Sequence, residues 1–509
     1  MRDLLIRGGT VVDGTGAPGR RADVLVRDGN IAAVGPTAQS ANLFDAFGLC
    51  IAPGFIDTHG HSDLALLRGE VVAAKVGQGV TTEILGQDGL SYAPHTPARL
   101  AEEIDYLAGL NGRPTRPIVT NGWPAFVDLY RGGAQNVALL VPYGAVRVEA
   151  AGWVDRPLDE AEIDGVREVV GACLEEGAVG VGLGLDYFPQ RRASTAELRS
   201  LAELVAAHDA VLVAHVRGRD LGMGPAVREL MELGRVTGAK VHVSHLRSGE
   251  GLAAVDAALA EGIDVTFDVY PYTKASSMLT MHLPTWMHAG GPRDLRLRLA
   301  DPDDREQLRP ELAARLGPFT ADMTIAHLGS SEHLDLVGHS LATAVERLGG
   351  DLVGAVAELL LANDLAVGYV GQSVTEEELT ACVAHPAAMG SSDAILVGQR
   401  PHPRGFGSFP RFFQRYVREL GVISLERCVA MLAGVPARRF QLGPRGTIAL
   451  GKAADLVIFD PATIADAATY ESPRAMPLGI VAVLTRGEVI WGRGSVEEPH
   501  SGDIIERGR

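Results

Sequence analysis

Short aliphatic runs alternate with amphipathic stretches through most of this chain. Strand-like runs fall at Val80–Leu85, Asn136–Val141, Val179–Leu183, Ala210–Ala214, Lys240–Ser244, Ile263–Phe267 and Ala387–Met389. Between several of them the apolar period changes from two to 3.6, predicting helices over Glu160–Glu176, Ala196–His208, Pro225–Gly234 and Ala253–Glu261. Ser194-Thr-Ala-Glu197 and Thr375-Glu-Glu-Glu378 have the form of capping boxes, in which the first side chain and the glutamate satisfy each other's backbone N–H. With the apolar run that ends at His59 and His61, the count reaches eight strands in an αβ rhythm. That rhythm predicts an α/β protein built on a (β/α)8 TIM-type barrel, whose reacting groups sit at the C-terminal ends of the strands.

The two chain ends have a different texture. Leu4–Ile6, Val24–Val26 and Ile31–Val34 are separated by Gly, Asp and Asn turns, with Asp28-Gly29-Asn30 suited to a tight hairpin. Ala454–Phe459, Val481–Leu484 and Glu488–Trp491 repeat the pattern near the C-terminus. We therefore expect residues 1–52 and 447–495 to share one small β-sandwich, and residues 53–446 to form the barrel. Before the last strand lie about 110 residues with helical patterns, far more than one βα loop. Residues 275–380 are expected to be a helical insertion over the barrel mouth, and 496–509 a polar, frayed tail.

Composition narrows the classes. The chain has 509 residues, 46% of them hydrophobic, which is ordinary for a globular protein. A net charge of −17 repels nucleic acid and anionic membranes, so neither is an expected partner. No run of apolar residues is long enough to span a bilayer, and Met1–Arg7 lacks a signal-like apolar core. A soluble, cytoplasmic protein is the expectation; the oligomeric state is left open. The four cysteines lie far apart and form no C-x-x-C pair.

The candidate chemistry sits at the strand ends. His59 and His61 leave one face of the first strand, Asp88 follows the second, His215 the fifth, His245 the sixth and Asp393 the eighth. Any one of these side chains alone would read as surface or core packing. Together they form a nitrogen and carboxylate set suited to one or two divalent ions, Zn²⁺ first, with Mn²⁺ or Co²⁺ possible. Such an ion lowers the pKa of water to about 7, and Asp393, free to do more than ligate, could accept the proton. His242 is out of phase with His245 and is expected to point into the helix layer. His385 and His402 flank the eighth strand, where structural roles and substrate contact are both open.

Pro53-Gly-Phe-Ile-Asp-Thr-His-Gly-His61 resembles the first-strand motif of the amidohydrolase superfamily, and Gly446–Asp460 its closing motif. Gly79-Val-Thr-Thr82, Ser244-His-Leu-Arg247, Asp268-Val-Tyr-Pro-Tyr272, Gly390-Ser-Ser-Asp393 and His402–Arg411 are similar to those of the N-acyl-D-amino-acid deacylase group. The resemblance implies hydrolysis of a small N-acyl-D-amino acid. It groups His59, His61 and Asp393 around one metal position and His215 and His245 around a second, with Asp393 as proton shuttle. It also implies that Arg247, where the group has lysine, and Tyr272 hold the substrate carboxylate. The group bridges its metals with a cysteine in Gly-Asn-Cys-Gly; here the segment reads Gly86-Gln-Asp-Gly89, and residues 179–186 contain no lysine that could bridge instead. Asp88 is the candidate bridge, against the alternative that it only stabilises its own turn. The fourth-strand segment Gly182–Pro189 departs from the group's pattern, which leaves the acyl side open. Two other functions stand beside the deacylase: a hydrolase of cyclic amides, hydantoinase- or imidase-like, and a non-catalytic scaffold on the same fold.

Overall fold

The structure is a computed structural model in which residues 3–36, 42–67, 73–115, 117–118, 122–492, 494–497 and 501–508 are described. Eight parallel strands, numbered here β1 to β8, form the central sheet. They are β1 (Phe55–Asp57), β2 (Val80–Leu85), β3 (Asn136–Pro142), β4 (Gly180–Gly184), β5 (Val211–His215), β6 (Lys240–Val243), β7 (Val265–Val269) and β8 (Ala388–Gly390). Neighbours pair in chain order from β1 to β8. The ring is drawn shut beyond the strand ends, where Gly60 bridges Ala394 and the Asp393 N–H donates to the His59 carbonyl at 2.7 Å. The barrel is packed rather than hollow. Ile56, Ile84, Leu140, Val211, Val213 and Met389 fill its interior, and Phe440 and Leu442 belong to the same core cluster.

Both chain ends enter a second, nine-stranded sheet. Cys50–Pro53 is the seam: it pairs parallel with Leu4–Val11 and antiparallel with Leu456–Phe459. Two-residue turns at Asp28-Gly29 and Arg486-Gly487, all four residues at positive φ, close the hairpins on either side. Ile6, Val24, Ile51, Ile458 and Leu484 share the core of this sheet.

The segment between β7 and β8 carries the expected helices, among them Leu341–Arg347, Leu352–Ala362 and Glu376–Ala384. It is not helical throughout, however. Lys274–Met278, Val367–Gln372 and Thr324–Leu328 form a three-stranded antiparallel sheet. Lys-Ala-Ser-Ser-Met has no β-type alternation, so pairing rather than propensity makes it a strand. The C-terminal tail also differs from expectation. Ile504–Ile505 adds in parallel to β3 and Ile505 is buried in the barrel core, while Arg507 donates to the Leu174 carbonyl at 3.2 Å. Among the described helices none is long and apolar enough to cross a membrane.

Candidate active site

Period-two geometry explains one ligand candidate directly. Val211 and Val213 face the barrel interior, so His215 continues the same row at the mouth. Three others rely on broken regularity. Asp88, His245 and Asp393 all have left-handed backbone, with φ of 57°, 37° and 46°. That conformation costs a non-glycine residue about 1–3 kcal/mol and clusters at functional sites. At His245 it undoes the alternation, so His242 and His245 both turn inward. His242 therefore does not face the helix layer: it packs against Phe440 and meets Asp268 Oδ2 at 3.1 Å.

Asp88 is aimed from below and beside. A Cβ on Gly182 would lie 2.4 Å from the Gly86 carbonyl, and one on Gly184 only 2.1 Å from that of Asp88. Only glycines let the turn after β2 settle onto β4. Gln190 locks it there, donating to the Asp88 carbonyl at 2.9 Å and accepting from the Gly184 N–H at 2.7 Å. The Asp88 side chain makes no turn-stabilising hydrogen bond among the described residues, and its Oδ1 is buried without one.

The six sequence candidates meet around that carboxylate. His59 Nε2 is 3.4 Å from Asp88 Oδ1, and His61 Nε2 is 3.7 Å from Oδ2. His215 Nδ1 lies 3.6 Å from Oδ2 and His245 Nε2 4.0 Å from Oδ1. Asp393 Oδ1 stands 3.4 Å from His61 and 3.8 Å from His59. Two donor groups result, His59–His61–Asp88 and Asp88–His215–His245, sharing the one carboxylate. Two ligands held ~2.1 Å from a tetrahedral ion stand roughly 3.4 Å apart, so these separations suit divalent ions with nitrogen and oxygen donors. His59 Nε2, which faces Asp88, is buried without a hydrogen bond, a cost that an ion at this place would relieve.

Charge around the centre is strongly organised. Burial alone would raise the Asp88 carboxyl, but the His59 and His215 charges hold it well below the usual carboxylate range. At Asp393 burial is likewise outweighed, chiefly by Arg404, whose Nη1 lies 2.8 Å from Oδ2. Arg404 is fully buried and stacks on Tyr270. Its position within His402–Arg411 is the only sign of it in the sequence. Asp268 backs His59 Nδ1 at 3.6 Å and accepts from Ser391 Oγ at 2.6 Å. Asp186, at the end of β4, faces His215 Nε2 at 3.3 Å.

A cavity of about 260 Å³ opens onto His61, Asp88, His215, His245 and Asp393. Arg247 lines it, stacked on Tyr270 and donating to the Tyr272 carbonyl at 3.0 Å and Ser373 Oγ at 3.1 Å; its Nε is left over. Tyr272 is turned elsewhere: its hydroxyl donates to Asp466 Oδ2 at 2.7 Å, and Tyr270 takes the place in the wall. His385 Nε2 meets Asp256 Oδ1 at 3.0 Å and His402 Nε2 the Lys274 carbonyl at 3.1 Å.

Comparison with known proteins agrees with this architecture. The Amidohydrolase family profile matches residues 42–491. A D-aminoacylase from Alcaligenes xylosoxydans xylosoxydans is 32% identical, over 99% of this chain and 98% of that protein. An N-acyl-D-glutamate deacylase from the same organism is 34% identical over 96% and 93%. Among solved structures, an N-acyl-D-glutamate deacylase from Bordetella bronchiseptica, complexed with zinc and a phosphonate mimic of the tetrahedral intermediate, superposes with a TM-score of 0.82 at 33% identity, covering 99% of both chains. The chain belongs to the amidohydrolase family, in the branch of the N-acyl-D-amino-acid deacylases.

Proposed function

We propose that this protein is a metal-dependent deacylase that hydrolyses the amide bond of N-acyl-D-amino acids to a carboxylic acid and a free D-amino acid. The observation that carries the reading is the pair of histidine groups sharing Asp88, with Asp393 and Arg247 in the same cavity. Full-length relatives named D-aminoacylase and N-acyl-D-glutamate deacylase support the substrate class and the D configuration.

His59, His61, Asp88, His215, His245 and Asp393 are assigned to hold one or two ions. Zn²⁺ is the first choice; a carboxylate at the bridging place is a harder ligand than a thiolate and suits Mn²⁺ or Co²⁺ as well. The bound ion supplies Lewis acidity to the amide carbonyl and to water. Asp393, kept ionised by Arg404, accepts a proton from the attacking water. Water oxygen bonds to the carbonyl carbon, the C–N bond breaks, and Asp393 returns the proton to the departing nitrogen. Arg247, in the cavity wall, receives the α-carboxylate through the charge of its guanidinium. A free carboxylate is absent from simple cyclic amides, so this wall favours the linear substrate.

The test is hydrolysis of paired N-acetyl-D- and N-acetyl-L-amino acids by protein stripped of metal and reloaded with Zn²⁺, Mn²⁺ or Co²⁺. Turnover of the D series that requires metal is expected. Equal turnover of both series, or activity confined to cyclic amides, would contradict it.

A further inference from the structure

The cavity holds a second guanidinium that the reaction does not use. Arg219 sits on the short turn Gly218–Leu221 that follows β5, and it lines the same cavity as Arg247. Its partners are neutral: His282 Nδ1 at 3.3 Å, the Tyr369 hydroxyl at 3.2 Å and Met281 Sδ at 3.3 Å. Among the described residues no carboxylate forms an ion pair with it. Asp186, in the same wall, is committed to His215 and to the backbone N–H of Arg219.

The surroundings deepen the charge. Beyond Arg219 lies another cavity, of about 480 Å³, lined by Arg219, Met281, His282, Arg315 and Phe319 as well as Asp220. Asp220 is taken up by Arg191, which it meets with both carboxylate oxygens. Arg315 forms no ion pair among the described residues, and burial and then the charge of Arg191 press its guanidinium downward, with Arg219 also contributing. His282 is 5% exposed, and its Nε2 has no hydrogen bond. Burial, then Arg219 and Arg315, keep that ring neutral, well below the usual histidine range. Two unpaired guanidiniums beside a buried, unsatisfied imidazole are unusual in a chain of net charge −17, and an anion would relieve their repulsion.

We propose that Arg219, backed by His282 and Arg315, is a second anion subsite, so that the favoured substrate carries a carboxylate in addition to its α-carboxylate. This inference rests on the deacylase reading above. The second carboxylate belongs either to the amino-acid side chain or to the far end of the acyl group; in both cases it is an anion remote from the scissile amide. Arg247 and Arg219 then hold the two charged ends while the amide lies against the metal centre.

The readout is a ratio of kcat/KM for each acid to that of its uncharged isostere, which cancels losses of folding or metal. One arm compares N-acetyl-D-glutamate with N-acetyl-D-glutamine; the other compares N-succinyl-D-alanine with its terminal amide. A charge-assisted contact predicts a ratio of about 10 to 150 in at least one arm, and that arm identifies the source of the anion. Arg219→Gln should bring this ratio close to one, and Arg219→Lys should restore part of it. Ratios near one in both arms for the unmodified protein, with the neutral substrates hydrolysed, overturn the subsite and leave the deacylase standing. Failure to hydrolyse any N-acyl-D-amino acid overturns the deacylase reading itself.

Discussion

The floor of the site and its wall are built on opposite electrostatic plans. Beneath His59 and Asp393, Lys75 is completely buried between Asp57 and Glu83, the latter at 3.0 Å, and donates to Ser392 Oγ at 2.8 Å. Asp57 in turn accepts from the Ser392 N–H at 2.9 Å and the His59 N–H at 3.3 Å. This charge network ties the end of β1 to the end of β8, where the barrel lacks a regular ladder. Every member is paired inside the protein. The wall is the reverse: Arg219 and Arg247 reach the cavity from the loops after β5 and β6, and no carboxylate among the described residues forms an ion pair with either. The difference separates two tasks. On the proposed assignment, the charges that tie the strand ends together are paired in advance, whereas those offered to substrate are left to be paired by it.

The comparison can be broken most severely at Asp393. Asp393→Asn keeps the shape but removes the proton acceptor, and kcat should fall by about 10²–10⁴-fold. Near-normal turnover would remove Asp393 from the mechanism and leave the floor a purely structural device.

Lys75→Met tests the floor from behind. It strands Asp57 and Glu83 as buried carboxylates, which should cost about 3–5 kcal/mol in urea unfolding and lower Tm. An unchanged denaturation midpoint would show that the network is not what closes the barrel.

Arg247→Ala tests the wall. The loss in kcat/KM should be about 10- to 150-fold for N-acyl-D-amino acids and much smaller for the corresponding amides, which lack the anion. Equal losses would make Arg247 a structural residue.

Glu103 gives the smallest effect and sharpens the contrast, because it is buried like Glu83 but has no lysine. Its Oε2 makes no hydrogen bond and faces His95 at 3.7 Å. Burial, and then Glu102, push its carboxyl up to about 8. The folded protein therefore binds a proton here that the unfolded chain releases near pH 4.5, so stability falls as pH rises from about 4.5 through 8. Glu103→Gln removes that dependence, and its Tm relative to the unmodified protein should be higher at pH 8.5 than at pH 5. A difference independent of pH would contradict this.

Much of this molecule was legible in its residues because barrel strands announce themselves by apolar runs and place chemistry at their ends. The six ligand candidates were found that way. What escaped has local or long-range causes. Left-handed backbone at His245 turns its side chain inward out of phase with the strand, so that His242, on the regular inward row, shares its side; no periodicity encodes such a flip. That Tyr270 rather than Tyr272 lines the cavity has a distant cause, for the Tyr272 hydroxyl donates to Asp466, 194 positions away. Arg219, Asp186 and Asp268 acquire meaning only from partners on other strands or loops. The strand Lys274–Met278 exists because Val367–Gln372 pairs with it, a contact across the whole insertion.

On the proposed function, the Asp88 carboxylate joins two histidine pairs into one metal centre. The most direct test is metal content per chain, measured together with hydrolysis of an N-acetyl-D-amino acid, for the unmodified protein, Asp88→Asn and Asp88→Cys. Asp88→Asn should lose metal and activity together, and Asp88→Cys should keep metal with a shift towards zinc. Full metal content and turnover in Asp88→Asn would contradict it.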